Sequence, residues 1–427
     1  MHCLWLCRTL PFPPVAGDRL YSAGLARALA AAGADVTFVG LATEVLPPSQ
    51  AASGMWWHPI PGGQRSDLTS LVSGMPLVAA RHATRAYRAE VAALLRQQTW
   101  DAVVIDYVAM GWALRQIGRC PGPRPVVVFV THNHEATVTR TQLRDRAASL
   151  PLRLFLWQNH LKTRNLERRI ARACDVLTVI TPADARLFAQ TPGLPQPIVL
   201  LPGYGGHRLA QRSIDPALPR AILMFGSYRW SAKQASLRAF LDIADPVFSA
   251  AGVGIRVIGD MDETVRSALA QQYHATEFLG YVDDPTPYLR AARLAVIAEP
   301  IGGGFKLKLL EYVFNRVPVA ALDACAAGLD GALRAQMLLR PNIDALVSAL
   351  LPLLDDAERL DAMQDAAFDA AAFAFDWAER GRTLFAAIKG ASARRAVLTA
   401  VHYGRPQNAF RNAAPACGQR PPDSRPG

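Results

Sequence analysis

At 427 residues, 51% of them hydrophobic and 19% charged, the chain is long enough for two or three domains and apolar enough to bury their cores, which excludes a disordered protein. A formal charge of +11 points to anionic partners without choosing between nucleotides, nucleic acid and acidic lipid. Cys3, Cys7, Cys120, Cys174, Cys325 and Cys417 contain no CxxC pair, so they read as reduced thiols rather than as a disulfide framework or a zinc site, and no metal is expected.

Residues 1–10 hold a short apolar stretch broken by Arg8 and followed by prolines, unlike a secretory leader, whose apolar part follows its basic residues. No apolar run approaches the ~18 residues of a membrane span. The expectation is a cytoplasmic protein.

In chain order, residues 4–7 read as a short strand, 11–17 as a Pro/Gly loop, 20–32 as an alanine-rich helix and 35–40 (DVTFVG) as a second strand, a βαβ start. The fully apolar runs 102–106 (AVVID), 126–130 (VVVFV) and 176–180 (VLTVI) read as further buried parallel strands. Residues 201–219 are rich in Pro and Gly and read as a linker, after which strands recur at 221–225, 255–258, 277–279, 294–298 and 317–322. The count gives two successive Rossmann-like parallel-sheet domains facing a cleft, an α/β chain with no fixed-period repeat. The domains fall at 1–205 and 216–375, a closing helix at 376–391, and a basic, proline-rich disordered tail at 392–427.

The sharpest local signal lies in 299–322, EPIGGGFKLKLLEYVFNRVPVAAL, where a strand ends, three glycines turn the chain and a helix is expected over 305–314. Glycine lets a ligand approach the backbone, and a helix N-terminus offers unpaired N–H groups and about half a unit of positive charge, a place for a diphosphate. Gly304 and Glu311 stand seven residues apart, which on a helix is two turns or ~10 Å, so Glu311 would accept bonds from a ribose whose diphosphate sits at Gly304. The plainer alternative is a tight strand-to-helix turn carrying an exposed Glu.

This segment resembles the GT-B glycosyltransferases of the retaining family 4 group, whose donor motif is Glu-x7-Glu at a helix start. Residues 303–311, GGFKLKLLE, match its Gly-Phe, its leucines and its second Glu, while Gly303 stands where the first Glu would be. The resemblance extends to about residue 390. Ala16-Gly17 and the helix after it look like the family's first loop, where glycine N–H groups face donor or acceptor. Residues 226–233, GSYRWSAK, look like the loop that places an Arg and a Lys on the diphosphate, which makes Gly226, Arg229 and Lys233 candidates. Residues 278–300 are similar to the family stretch whose backbone edges the nucleobase, here at Tyr281 and Val282. Phe375-Asp376-Trp377 opens the closing helix, with a structural role for Trp377.

At 131–135, THNHE, past a buried strand, His132 aligns with the family histidine beside the donor sugar, with His134 able to serve in its place and a structural histidine as the alternative. The resemblance implies a glycosyltransferase moving a sugar from a nucleotide-diphosphate donor to a glycan, lipid-linked or small-molecule acceptor with retention, in polysaccharide or glycoconjugate biosynthesis. It implies no protein nucleophile, no metal and no cofactor beyond the nucleotide-sugar donor. The protein's task is then electrostatic: Arg229, Lys233, Lys306 and the N–H groups near Gly303, Gly304 and Phe305 hold the charge growing on the leaving diphosphate.

Residues 140–172 carry nine basic residues against Asp145 and Glu167, with Leu152, Leu154, Phe155, Leu156 and Trp157 among them. An anionic membrane surface, at the inner face of the plasma membrane, and a solvated, core-packed helix pair explain this equally. Rivals for the whole chain are a nucleotide-sugar epimerase of the same fold and a non-catalytic nucleotide-sugar binder. Nucleic acid is not expected, because no zinc-finger, RNP-like or helix-turn-helix signature accompanies the charge. A Rossmann dehydrogenase is disfavoured by the absence of GxGxxG from the first loop.

Overall fold

The computed structural model describes residues 1–13, 16–44, 54–143, 149–229, 231–299 and 304–403, with 231 and 398–403 described by backbone alone. Two parallel sheets organise it. The first holds β1 (His2–Thr9), β2 (Asp35–Leu41), β3 (Met55–Ile60), β4 (Ala102–Asp106), β5 (Val126–Val130), β6 (Val176–Val179) and β7 (Ile198–Val199), in the order β3-β2-β1-β4-β5-β6-β7. The second holds β8 (Ala221–Phe225), β9 (Gly254–Ile258), β10 (Thr276–Gly280), β11 (Leu294–Ile297), β12 (Val319–Leu322) and β13 (Leu338–Arg340), in the order β10-β9-β8-β11-β12-β13. The expectation of two Rossmann-like parallel-sheet domains holds.

Strands β4 and β5 are buried at every position, as strands covered by helices on both faces must be. The strands not expected from the sequence, β3, β7 and β13, lie at sheet edges. In β3 buried and exposed positions mix and Pro59 interrupts the run, which an edge tolerates and a central strand does not.

The chain leaves β1 for β2 and β3 on one side, then returns to β4 on the other, and in the second sheet it does the same at β8 and β11. Each reversal opens a crevice at the carboxyl ends of the two strands, the place where such sheets take ligands. In the first sheet Leu6 pairs with Ile105, which brings the residues after β1 beside Asp106 at the end of β4.

The helices that bear on function are α1 (Gly17–Ala31), α2 (Leu68–Val72), α3 (Glu135–Gln142), α4 (Leu150–Ala173), α5 (Ser231–Ala250), α6 (Lys308–Phe314) and α7 (Trp377–Tyr403). Helix α7 returns from the second sheet to lie along α1. The contact is close because it is made on glycines: a Cβ at Gly24 or Gly203 would lie 2.3 or 2.4 Å from the Trp377 ring, and one at Gly381 would lie 2.0 Å from the Ala28 carbonyl oxygen. Tyr21 completes the seat, its ring 5.8 Å from that of Trp377.

Helix α7 runs to Tyr403, past the expected end at 391. Residues 391–403 (ASARRAVLTAVHY) are mostly good helix formers, and neither Gly nor Pro interrupts them before Gly404. Arg395 also anchors this stretch on the Pro125 carbonyl, at 2.5 Å, and on Asp175, at 2.6 Å. Residues 404–427, the remainder of the expected tail, lie outside the described residues. Among the described residues no helix is long and apolar enough to cross a membrane.

Candidate functional site

At the crevice of the second sheet, the chain leaving β11 turns Glu299 inward. Its carboxylate is buried and meets three ammonium groups: Lys233 from the first turn of α5, Lys306 at 3.1 Å and Lys308 at 2.5 Å. Lys308 also donates to the Phe225 carbonyl at the end of β8, 2.5 Å away. Burial pushes the Glu299 carboxyl up, but Lys308, Lys306 and Lys233 outweigh it and hold the group well below the ordinary carboxylate range. For Lys233 burial wins: its pKa is lowered to about 8, with Lys308 and Lys306 adding to the fall and Glu299 opposing it.

Backbone crowding frames the same crevice. Gly226 donates to the Ile258 carbonyl at 3.0 Å, and Gly259, at φ +150°, donates to Gly280 at 2.8 Å. A Cβ on Gly259 would stand 1.5 Å from the Gly226 carbonyl oxygen, so no other residue fits there. Tyr281 and Val282 follow, the first exposed and the second packed on the second domain's core.

Arg229 and Lys233, expected together, are separated. Arg229 is exposed and pairs with Asp260 and Asp262, the acids after β9, which supply nearer counter-charges than the buried cluster does.

The glycine turn also differs from its expected form. Helix α6 starts at Lys308, not at 305, and residues 304–307 make the turn before it, with Leu309 donating to Lys306 and Leu310 to Leu307. Gly304 and Glu311 therefore do not share a helix, and the two-turn spacing does not apply between them. Gly304 has φ +78°, and a Cβ there would lie 2.5 Å from Oδ1 of Asn133 in the first domain. Gly303 lies outside the described residues. Phe305 is half-buried between the two cores, its ring 5.7 Å from Phe375. Gly17, the first residue of α1, faces Leu307, whose Cδ1 would be 3.2 Å from a Cβ at that position. The two crevices thus meet across a narrow gap.

Glu311 accepts a bond from Asn315 Nδ2 at 3.0 Å and one from the Tyr204 hydroxyl, and burial pushes its carboxyl up. Tyr204 comes from the connecting segment and stacks on Phe314 at 4.6 Å.

At the crevice of the first sheet, Asp106 is fully buried. Its Oδ1 lies 2.6 Å from His132 Nε2, and its Oδ2 accepts from Trp5 Nε1 at 2.8 Å. Burial pushes this carboxyl up, but His132, with hydrogen bonds from Ser22 and Trp5, brings it below its ordinary value. The His132 ring is flanked by Tyr21 and Tyr107, each 5.5 Å away. Arg8, paired with Asp18, lies over Tyr107 at 4.5 Å, and these residues line one small cleft with His132.

His134 turns elsewhere: its Nδ1 bonds Thr137 Oγ1 at 2.8 Å and its ring packs on Phe188. Glu135, buried, takes bonds from Asn133 Nδ2, at 3.2 Å, and from Tyr107. Behind it Glu167 accepts the Glu135 and Ala136 N–H groups at 2.6 and 3.0 Å, closing the N-terminus of α3. Among the described residues no group of three or more His, Cys, Asp or Glu is arranged to hold a metal ion.

Glu299, Lys308 and Asp106 were not among the candidates. The available signal was position: Asp106 closes a buried strand with its only charge, and Glu299 directly follows another.

Helix α4 covers much of 140–172, while 144–148 lie outside the described residues. Its second half packs through Thr163, Leu166, Glu167, Ile170 and Ala171. Its first half leaves Leu150 (79% exposed), Leu154 (64%) and Trp157 (53%) uncovered, so core packing does not account for them. Helix α2 is tied to it by Lys162 Nζ, which donates to the Ser70 carbonyl at 2.5 Å, and α2 exposes Leu68, Leu71 and Val72.

Two successive parallel-sheet domains of this topology make up the GT-B fold. Residues 17–203 match the glycosyl transferase 4-like domain and residues 219–356 match glycosyl transferases group 1, and the chain belongs to that family. Among solved structures it is similar to sucrose-phosphate synthase from Thermosynechococcus elongatus, with 17% identity over 95% of this chain and 99% of that one and a TM-score of 0.65. It is also similar to WaaG, a glycosyltransferase involved in lipopolysaccharide biosynthesis (15%, 90% and 99%, TM-score 0.61). A third is Anabaena HepE in complex with UDP and glucose (14%, 91% and 100%, TM-score 0.60). No curated protein matches the chain.

Proposed function

We propose that this glycosyltransferase takes a sugar from a nucleoside diphosphate donor and transfers it, with retention, to a glycan or lipid-linked acceptor. The observation that carries the reading is the group of three lysines gathered at the carboxyl end of the second sheet, where an α/β crevice takes its ligand. Their positive charge suits a diphosphate, and HepE, of similar fold, was solved with UDP and glucose.

The donor's diphosphate sits against Lys233, Lys306 and Lys308, with the backbone at Gly304 and Phe305 beside it. The base lies along 280–282, by Tyr281 and Val282, near Gly226, and Glu311 receives the ribose hydroxyls by exchanging its bonds to Tyr204 and Asn315. His132, steadied by Asp106, reaches the sugar from the first domain, and the Gly17 N–H, at the start of α1, faces the donor or the acceptor. Transfer then depends on holding the charge that grows on the leaving diphosphate, and loss of one such donor costs about 100- to 1,000-fold in rate. Arg229 joins only by leaving Asp260.

The exposed apolar residues of α2 and α4, with exposed Arg153 beside them, rest on an anionic bilayer at the inner face of the plasma membrane and present the site to a lipid-linked acceptor. The described cysteines are all unpaired thiols, which suits the reducing cytoplasm.

A thermal-shift panel of UDP, GDP, ADP and dTDP tests the donor reading. One of them should stabilise the protein, by about 2.7 kcal/mol at 100 times its dissociation constant. The same ligand should shift Glu311→Ala much less. No shift with any of the four would remove the reading.

A further inference from the structure

The proposed transfer uses the three lysines and leaves Glu299 without a task, yet a buried carboxylate is retained there. It touches ammonium groups from separate parts of the chain, Lys233 on α5, Lys306 in the turn before α6 and Lys308 at its start. Without it, three cations would face one another at short range in a half-dry crevice, where like charges drive one another apart or to neutrality. With it, they share one counter-ion and still present positive charge in excess.

We propose that Glu299 is a positioning residue that gathers Lys233, Lys306 and Lys308 into one anion site and fixes the charge with which that site meets the donor diphosphate. The inference rests on the donor reading above. The opposite role, in which Glu299 competes with the diphosphate for the lysines, predicts that its removal tightens binding. The two roles differ in sign.

They also differ in pH dependence. Lys233 is the titrating group, its pKa lowered to about 8 by burial and by Lys308 and Lys306, with Glu299 opposing. The other groups around the carboxylate are Tyr228 and Tyr312, whose hydroxyls burial pushes upward, and Cys325, whose thiol burial also pushes up and which lies 3.5 Å from the Glu299 carbonyl oxygen. None of these changes charge near neutrality. Arg229 and Asp260 pair with each other outside the cluster. A lysine is charged below its pKa, so binding that needs Lys233 is present below about pH 8 and is lost as the pH rises through it. Removing the carboxylate removes the one neighbour that favours the charged form, so the loss moves to lower pH.

The test is calorimetric titration of UDP, GDP and inorganic pyrophosphate, between about pH 6.5 and 9, into the wild type, Glu299→Gln, Glu299→Asp and Lys233→Arg. Glu299→Gln should weaken binding about tenfold or more at neutral pH and begin its alkaline loss about one pH unit earlier, and Glu299→Asp should restore part of both. Lys233→Arg should bind without the alkaline loss, since arginine does not titrate there. Wild-type affinity, or tighter binding, in Glu299→Gln with an unchanged pH profile would overturn the proposal. Should Glu299→Gln fail to fold, persistence of the wild-type alkaline loss in Lys233→Arg would overturn it as well. Failure of the wild type to bind any of the three ligands would instead strike the donor reading, and this proposal with it.

Discussion

Two buried carboxylates of the first domain show how context sets opposite outcomes for the same chemistry. Asp106 has His132, Ser22 and Trp5 to stabilise its charge, and its pKa falls, whereas Glu167 has two backbone N–H groups, which do not offset burial, and its pKa rises to about 8. A carboxyl whose folded pKa lies above its unfolded one keeps its proton in the folded state while the unfolded chain releases it. Its contribution to stability is full below the unfolded pKa of ~4.3 and is lost as the pH rises through about 8. Denaturant unfolding across that window should therefore show stability declining by at most about 1.4 kcal/mol per pH unit from this group. Glu167→Gln, which cannot ionise, should flatten that decline; an identical slope in the variant would show that Glu167 is not its source. Beyond the place of Asp106 at the end of a buried apolar strand, little in the sequence marks either group. Glu167 sits in an arginine-rich run that a membrane surface and a solvated, core-packed helix pair explain equally, and its burial is decided by α3 packing over it, a contact between segments that no local pattern encodes.

At the scale of elements, what was legible followed from burial on both faces of a strand. Strands such as β4 and β5 announce themselves as unbroken apolar runs, while β3, β7 and β13 do not, because an edge relaxes the requirement for apolar residues and tolerates Pro59. Helix α6 was expected three residues too early because glycine, phenylalanine and lysine in GGFKLK do not distinguish a turn from a first helical turn. The pairing of α2 with α4 was invisible for a different reason: residues far apart in the chain are joined by Lys162 and Ser70, so only the fold ties the two helices together, and each leaves apolar surface exposed. Sedimentation with phosphatidylglycerol vesicles tests what that surface does. The wild type should sediment with them and much less with phosphatidylcholine, and Val72→Glu combined with Leu154→Glu should lower the bound fraction several-fold. Equal sedimentation of the variant would detach these helices from membrane binding.

Across the whole molecule, the two sheets repeat one topology, and each gathers buried and half-buried polar groups at the strand reversal: His132 with Asp106 in the first, the lysines with Glu299 in the second. The domains are brought together by small residues as much as by large ones. Gly24, Gly203 and Gly381 admit Trp377 and α7, and Gly304 admits Asn133. The family motif pointed to the region proposed as the donor site, but the grouping within it came from the fold, which turned Lys233 toward Glu299 and left Arg229 with Asp260. That difference gives the most direct measurement: a crystal structure of the complex with whichever nucleoside diphosphate stabilises the protein. The account predicts phosphate oxygens within hydrogen-bond distance of the Lys233 and Lys306 ammonium groups, with Glu299 still holding the lysines together. A diphosphate bound away from these lysines, on Arg229 or elsewhere, would contradict it.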